Sequence, residues 1–354
     1  MSTISKVLAD VQVGQPRRHQ NMTVYPLRVA NGHEADYRTL DQALKGKKFT
    51  VTEVSEGGSV GELQVKNGDQ KPVLLILGEE LVGAKQNRTL NTSILVPADS
   101  KLDIPVNCVE HGRWSYRGRE FSSGGASHAF LRHTQMDSTT LGLAISGSHI
   151  ADQGEVWGEV ARSMSAHGAS SGTGAIGDTY EHKSGELKAY TDALTDLGEA
   201  QGVLVVIDGR VVGLDLFDTA DTLSELWPKL ARSYALDALE PARKRAGDAG
   251  EDHIEDIFGR VRTPREASQE TLAEDDEGQA DVPEPEPDDE EQADAPEPEL
   301  DVEGFLKAAV EAKQESFDGV GLGTDVRLTG EKVSGSGLLW EERVVHLSVF
   351  QAVE

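Results

Sequence analysis

At 354 residues, with 37% apolar side chains, the chain is long enough for one large domain or two ordinary ones and can build a core without staples. Its single cysteine, Cys108, excludes an intrachain disulfide and a cysteine-rich zinc site, and no segment approaches the roughly 20 apolar residues needed to span a bilayer. The formal charge of −28 disfavours nucleic acid and anionic membrane as partners, although one local basic pocket can still hold a small anion.

The N-terminus, MSTISKVLADVQVGQ, has no apolar run behind a basic start, which points to a cytoplasmic protein. Strands are then predicted over 24–29, 49–54, 60–65 and 73–77, short apolar or alternating runs separated by Gly, Asn, Asp and Lys. A hairpin is expected next, its arms 94–96 and 102–109 flanking Pro97-Ala98-Asp99-Ser100. The two-residue period of its second arm puts Leu102, Ile104, Val106 and Cys108 on one face, so Cys108 is expected in the core and not as an exposed, reactive thiol.

The middle of the chain is more helical. Val156, Val160 and Met164 recur at four-residue spacing, and Leu187, Tyr190, Leu194 and Leu197 repeat similarly. Gly202–Ile207, Asp208-Gly209 and Arg210–Phe217 spell a hairpin whose two-residue turn suits positive dihedrals. Leu223, Leu226, Trp227, Leu230 and Tyr234 form a helical stripe with Pro228 inside it, so the helix either begins near Trp227 or is a longer one that the proline interrupts.

From Pro264 to Leu300 the composition turns to Glu, Asp, Pro, Ala and Gln. The interval from Glu270 to Glu303 holds 17 carboxylates and no Lys or Arg; without them the charge is −11. Such a stretch cannot offset its ordering entropy, and disorder is expected: a tolerated solvated insertion, or an acidic tether offered to a protein partner. Folded sequence resumes with Val302, Phe305, Leu306, Ala309 and Val310 at helical spacing, then apolar runs at 325–328, 337–340 and 343–350. The expected organisation is a main body over 1–263, an insert over 264–300, and a closing piece over 301–354 that docks back on the body. The fold class is α+β: a β-rich, largely antiparallel single domain with peripheral helices and a disordered acidic insertion.

Two polar segments could carry chemistry. Glu79, Glu80, Lys85, Gln86, Asn87, Arg88 and Asn91 crowd one loop after an apolar strand, where a scaffold commonly presents ligand-contacting groups. Paired carboxylates can act as acid and base or hold a divalent cation, and Lys85 and Arg88 can clamp a phosphate; the plain alternative is a solvated turn laced by salt bridges. Glu110, His111, Arg113, Trp114, Tyr116, Arg117 and Arg119 follow. Guanidinium groups beside aromatic rings suit a nucleotide, His111 is a candidate acid or base, and an ordinary sheet edge with an anchoring tryptophan is the alternative. His128 and His133 do not have the spacing of a helical metal pair.

Gly172-Thr173-Gly174-Ala175-Ile176-Gly177 matches GxGxxG but follows a polar segment and a helix instead of a buried strand, so Ala166–Gly177 reads as a flexible loop. No phosphate-loop, HExxH or GxSxG string is present. Asp325 and Arg327 are expected to pair across a strand or to face a ligand.

The runs LILGEELVGAKQNRTLNTSILVPADSKLDIPVNCVEHGRW (75–114) and VVGLDLFDTADTLSELWPKLARSYALDAL (211–239), with VYPL at 24–27 and GTDVRL at 323–328, resemble the ADP-ribosylglycohydrolase and rhodanese-phosphatase-associated protein family. The resemblance covers most of the chain outside the insert. It implies a setting among proteins that act on ADP-ribose and on phosphorylated small molecules, and supplies no catalytic residues. Together with the polar segments it leads to the expectation of a protein that binds, and by extension hydrolyses, ADP-ribose or a related NAD-derived nucleotide. Glu79, Glu80 and His111 are then the acid/base candidates. Lys85, Gln86, Asn87, Arg88, Asn91, Glu110, Arg113 and Trp114 are the ligand-binding candidates, and a divalent cation is the one cofactor the carboxylates suggest. A non-enzymatic partner-binding or regulatory module, using the polar loop and the acidic tether, is the alternative.

Overall fold

The structure, a computed structural model, describes residues 1–29, 34–240 and 301–352. The acidic stretch, with the disorder expected of it, lies outside the described residues.

In chain order the described elements begin with α1 (Thr3–Ala9), β1 (Gln12–Val13), β2 (Arg17–His19), β3 (Met22–Arg28), β4 (Arg38–Thr39) and α2 (Leu40–Lys45). A run of strands follows: β5 (Phe49–Glu53), β6 (Glu62–Asn67), β7 (Val73–Leu75), β8 (Glu79–Gly83), β9 (Arg88–Leu90), β10 (Ile94–Val96), β11 (Ser100–Cys108) and β12 (Phe121–Ala126). Then come α3 (Ala129–Ser146), α4 (Gln153–Ala166), α5 (Ile176–His182), α6 (Ser184–Ala193), β13 (Gly202–Ile207), β14 (Arg210–Phe217) and α7 (Ala220–Ala238). The closing piece holds α8 (Val302–Glu311), β15 (Lys313–Asp318), β16 (Thr324–Thr329), β17 (Val333–Trp340) and β18 (Arg343–Gln351). Among the described residues every strand pairing is antiparallel apart from the parallel pair of β4 with β7, and the class is α+β.

Nine strands form one sheet, ordered β1-β3-β13-β14-β18-β17-β16-β15 with β2 also on β3. Alternation along its strands separates two cores. Leu204, Val206, Leu214, Leu216, Leu347 and Val349 pack on Ile4 and Leu8 of α1 and on Phe305 and Ala309 of α8. Val203, Val205, Phe217 and Phe350 face the other way, toward Leu223, Leu226, Trp227, Leu230 and Tyr234 of α7. β18 lies between β14 and β17, so the segment after the insert pairs directly with the segment before it. Thr219 caps α7 through Thr222 N–H, and Asp301 caps α8 through Gly304 N–H.

Six further strands, β12-β8-β9-β11-β6-β5, make a second sheet, and a bridge between Thr52 and Glu120 joins its two edges, so it curls closed around Val51, Leu63, Val65, Leu81, Leu90, Ile104, Val106 and Phe121. This barrel-like sheet carries both polar segments.

Several sequence expectations meet corrections. β10 and β11 do not form a hairpin: β10 pairs with β7, whereas β11 crosses to β6 and β9. The Pro97–Ser100 turn is instead held by Asn67 Nδ2, which donates to Pro97 O at 2.9 Å, and by Asp99 N–H on Asp69 O at 3.1 Å. The predicted strand at 60–65 begins two residues later, leaving Val60 exposed in a glycine-rich loop. α6 ends at Ala193, so Leu194 and Leu197 are buried outside it. The segment before α5 is fastened: Gly112 N–H donates to Thr173 O at 2.7 Å, and Ile176 N–H to Val109 O at 3.0 Å. Of the two alternatives for Pro228 the longer helix is the one found. β15 was not predicted, because its exposed, polar KQESFD carries no apolar run.

Candidate ligand-binding site

β8 and β9 pair through Glu80–Thr89 and Leu81–Arg88, and the turn between them, Ala84–Asn87, is buried instead of solvated. The segment after β11 folds back over it, with Arg117 N–H donating to Ala84 O at 2.9 Å and Val109 N–H to Asn87 O at 3.1 Å. The two polar segments therefore converge, and Arg113 is their junction. Its Nε and Nη2 grip Glu110 at 2.9 and 2.6 Å, Nη1 donates to Ala84 O and Ser115 O, and Nη2 also reaches Gly83 O and Asn87 Oδ1. Glu110 in turn accepts from Asn87 N–H and Thr173 Oγ1. Burial pushes the Glu110 carboxyl up, but these bonds outweigh it and hold it below the usual range. Arg113 has no N–H left for a phosphate; with Glu110 and Asn87 it is the frame of the site.

Outside that frame two exposed rings cover buried cations: Lys85 and Arg88 are 8% and 0% exposed, so Arg88 lies under the rings and is not available as the expected phosphate clamp. Trp114 and Tyr116 are 47% and 43% exposed, and Lys85 Nζ sits 5.2 Å from the centroid of each ring. Lys85 Nζ donates to Gly57 O at 2.6 Å; Arg88, 5.5 Å from the Trp114 centroid, donates from Nη2 to Ser59 O at 3.2 Å and from Nη1 to Gln86 Oε1 at 2.9 Å. Glu53, at the end of β5, accepts from Lys85 N–H at 3.2 Å. The exposed Arg117 lies 3.9 Å from Glu110, and Arg119 pairs with Glu56 at 2.8 Å. His111 is exposed, its ring packed edge-on against Trp157 at 4.4 Å. Cys108 lies beneath, fully buried, its thiol pushed up to about 11 by burial, which removes it as a nucleophile.

Other predicted residues lie elsewhere. Glu79 and Glu80 are consecutive on a strand and point to opposite faces. Glu79 is buried against Lys229 Nζ at 2.6 Å, which also holds Asp41 at 2.6 Å and Ser123 Oγ at 2.7 Å. Burial alone would lower the Lys229 ammonium, but the two carboxylates win and leave it raised. Glu80 faces Ser127, whose hydroxyl donates to it at 3.3 Å, near His128 and Arg232; burial raises its carboxyl to about 7. The structure thus does not join Glu79 and Glu80 as an acid/base pair or a cation site. Asn91 bonds His149 O and Gln135 toward α3, away from the rings. Asp325 and Arg327 bond each other at 2.6 Å along one strand.

Residues missed from the sequence include Glu53, Gly57 and Gly58, which complete the ring surface; the Gly-Gly pair after a strand was the available signal. Also missed was the His128–Asp237 contact, Nδ1 to Oδ1 at 2.8 Å, where Asp237 accepts Ala129 N–H at the start of α3 as well. No signal could have found it, since 108 residues separate Ala129 from Asp237. Among the described residues no group of three or more His, Cys, Asp and Glu side chains is arranged to hold a metal ion, and no helix is long and apolar enough to cross a membrane.

A barrel-borne polar surface on an α+β frame defines a class of protein and no reaction. The family model described as the ARG and Rhodanese-Phosphatase-superfamily-associated Protein domain matches residues 10–284 and 278–350, and the chain belongs to that family. No curated protein and no solved structure matches the chain.

Proposed function

We propose that the protein binds ADP-ribose or a related nucleotide, with the base stacked on Trp114 or Tyr116 and the phosphates facing Lys85 and Arg117. The observation that carries this is the pair of half-exposed rings flanking one ammonium. Exposed rings give a base a face to stack on, and the exposed Arg117, with the buried Lys85 once it leaves Gly57 O, would supply the cations for its phosphates. The family's association with ARG proteins, taken as ADP-ribosylglycohydrolases, agrees with the choice of ligand. Binding is the whole of the proposal: Glu79 is neutralised by Lys229, and Glu80 is turned to the other face of its strand, so neither supports hydrolysis at these rings.

A thermal-shift panel with ADP-ribose, NAD, AMP and ribose phosphates, each with and without magnesium or manganese, tests it. A ligand at about 100 times its dissociation constant stabilises a fold by about 2.7 kcal/mol, enough for a shift of a few degrees. A saturable shift with a nucleotide and none with ribose phosphate is expected. No shift with any nucleotide would remove the proposal and favour a protein partner for this surface.

A further inference from the structure

Beneath the exposed rings lies a carboxylate oxygen without a hydrogen-bond partner. Glu53 is more than nine-tenths buried, and its two oxygens differ. Oε1 accepts Lys85 N–H and lies 3.9 Å from Arg88 Nη2, whereas Oε2 receives no hydrogen bond. Nearby, Arg88 Nε is also without an acceptor. A charged acceptor taken out of water and given no donor is costly, and structures seldom keep one without a use.

Gly58 shows where Oε2 points. A Cβ built on Gly58 would stand 3.2 Å from Glu53 Oε2, 3.3 Å from Trp114 Cζ2 and 3.1 Å from Lys85 Cδ. Carboxylate, indole ring and lysine stem thus converge on one small point at the foot of the stacking surface. Those distances are too short for a Cβ unless a neighbour gives way, so the loop packs closed here around a glycine, whose φ of +75° other residues adopt only under strain.

An ionised carboxylate only accepts hydrogen bonds, so whatever engages Oε2 must donate. A phosphate or sulfate does not meet this requirement and is repelled by the charge. The adjoining hydroxyls of a ribose do meet it, and an acidic side chain reads ribose hydroxyls in the same way in dinucleotide-binding folds. We infer that Glu53 is the sugar-reading residue of this site: it accepts from the ribose diol of a nucleotide whose base lies on the rings. The inference rests on the stacking proposal above. Entry requires residues 55–61 to yield, and two bonds link that loop to the polar turn, Lys85 Nζ to Gly57 O and Arg88 Nη2 to Ser59 O. A phosphate that recruits Lys85 Nζ releases the first of them.

Calorimetric titration with ADP and with 2′,3′-dideoxy-ADP, which differ only in the diol, separates the possibilities. The wild type is expected to prefer ADP by about tenfold or more, and Glu53→Gln, which keeps an acceptor for Lys85 N–H, to erase that preference. Glu53→Asp, with the carboxylate withdrawn by one methylene, should erase it too and decides the matter if the glutamine variant does not fold. Equal affinities in the wild type would overturn the role of Glu53 while leaving the stacking proposal intact. A preference surviving in both variants would overturn it as well. Binding of neither nucleotide would remove the stacking proposal and this inference together.

Discussion

Arg113 illustrates how a side chain suited to a ligand can be consumed by the fold. Its guanidinium is buried, and its donors are spent on Glu110, Asn87 and three carbonyls. Removing one partner of a buried ion pair leaves the other charge uncompensated, so Arg113→Ala should cost about 3–5 kcal/mol in urea unfolding. Arg113→Lys should recover little, because an ammonium cannot reproduce the planar fork. A variant as stable as the wild type would show that Arg113 is free to serve a ligand. Glu80 makes the opposite kind of prediction. Its carboxyl, raised by burial from the ordinary range to about 7, favours the folded state when protonated, so its contribution is full below about pH 4 and is lost as pH rises through 7. Glu80→Gln should therefore match the wild type near pH 4 and exceed it at pH 8 by on the order of 2 kcal/mol. The same denaturation series at the two pH values checks this, and a variant less stable at pH 8 would contradict it.

At the scale of elements, the β13–β14 hairpin is the part most fully legible in the sequence. Asp208 and Gly209 have φ of +51° and +73°, the conformation that the Asp-Gly pair predicts. Gly209→Val forces a β-branched residue into that region and should lower stability by about 1–2 kcal/mol, read as a drop in Tm; an unchanged Tm would mean the turn tolerates it. Helices α4 and α7 were legible for the same reason, since periodicity and capping are local. The supposed 94–109 hairpin was misread because a proline turn between two apolar runs specifies a bend and leaves the pairing partner open. β10 and β11 each found a better-matched strand in a different sheet. β15 was invisible because an edge strand half in water needs no apolar pattern. Of the site, the convergence of the two polar segments depends on Arg113 reaching back about thirty residues to Gly83 and Ala84, which spacing cannot reveal. The mutual orientation of Glu79 and Glu80, by contrast, was available from the strand period.

For the whole molecule, the segment after the insert completes the large sheet by placing β18 against β14 and by packing α8 beside α1 on the same core. A chain ended at residue 300 would expose the β14 edge and an apolar face and should not fold; hydrogen exchange would show it unprotected, and native-like protection would contradict this. The barrel-like sheet that carries the rings has its own core, with Leu63, Val65, Leu90 and Ile104 buried inside it. Trp114 and Tyr116 stand outside that core and can be removed without disturbing it. Calorimetric titration of ADP-ribose into the wild type and into a Trp114→Ala, Tyr116→Ala double variant is therefore the most direct measurement. Stacking contributes about 1–3 kcal/mol per base, so the double variant should bind about tenfold or more weakly while keeping the wild-type Tm. Equal affinity in the two proteins would contradict a nucleotide site at these rings.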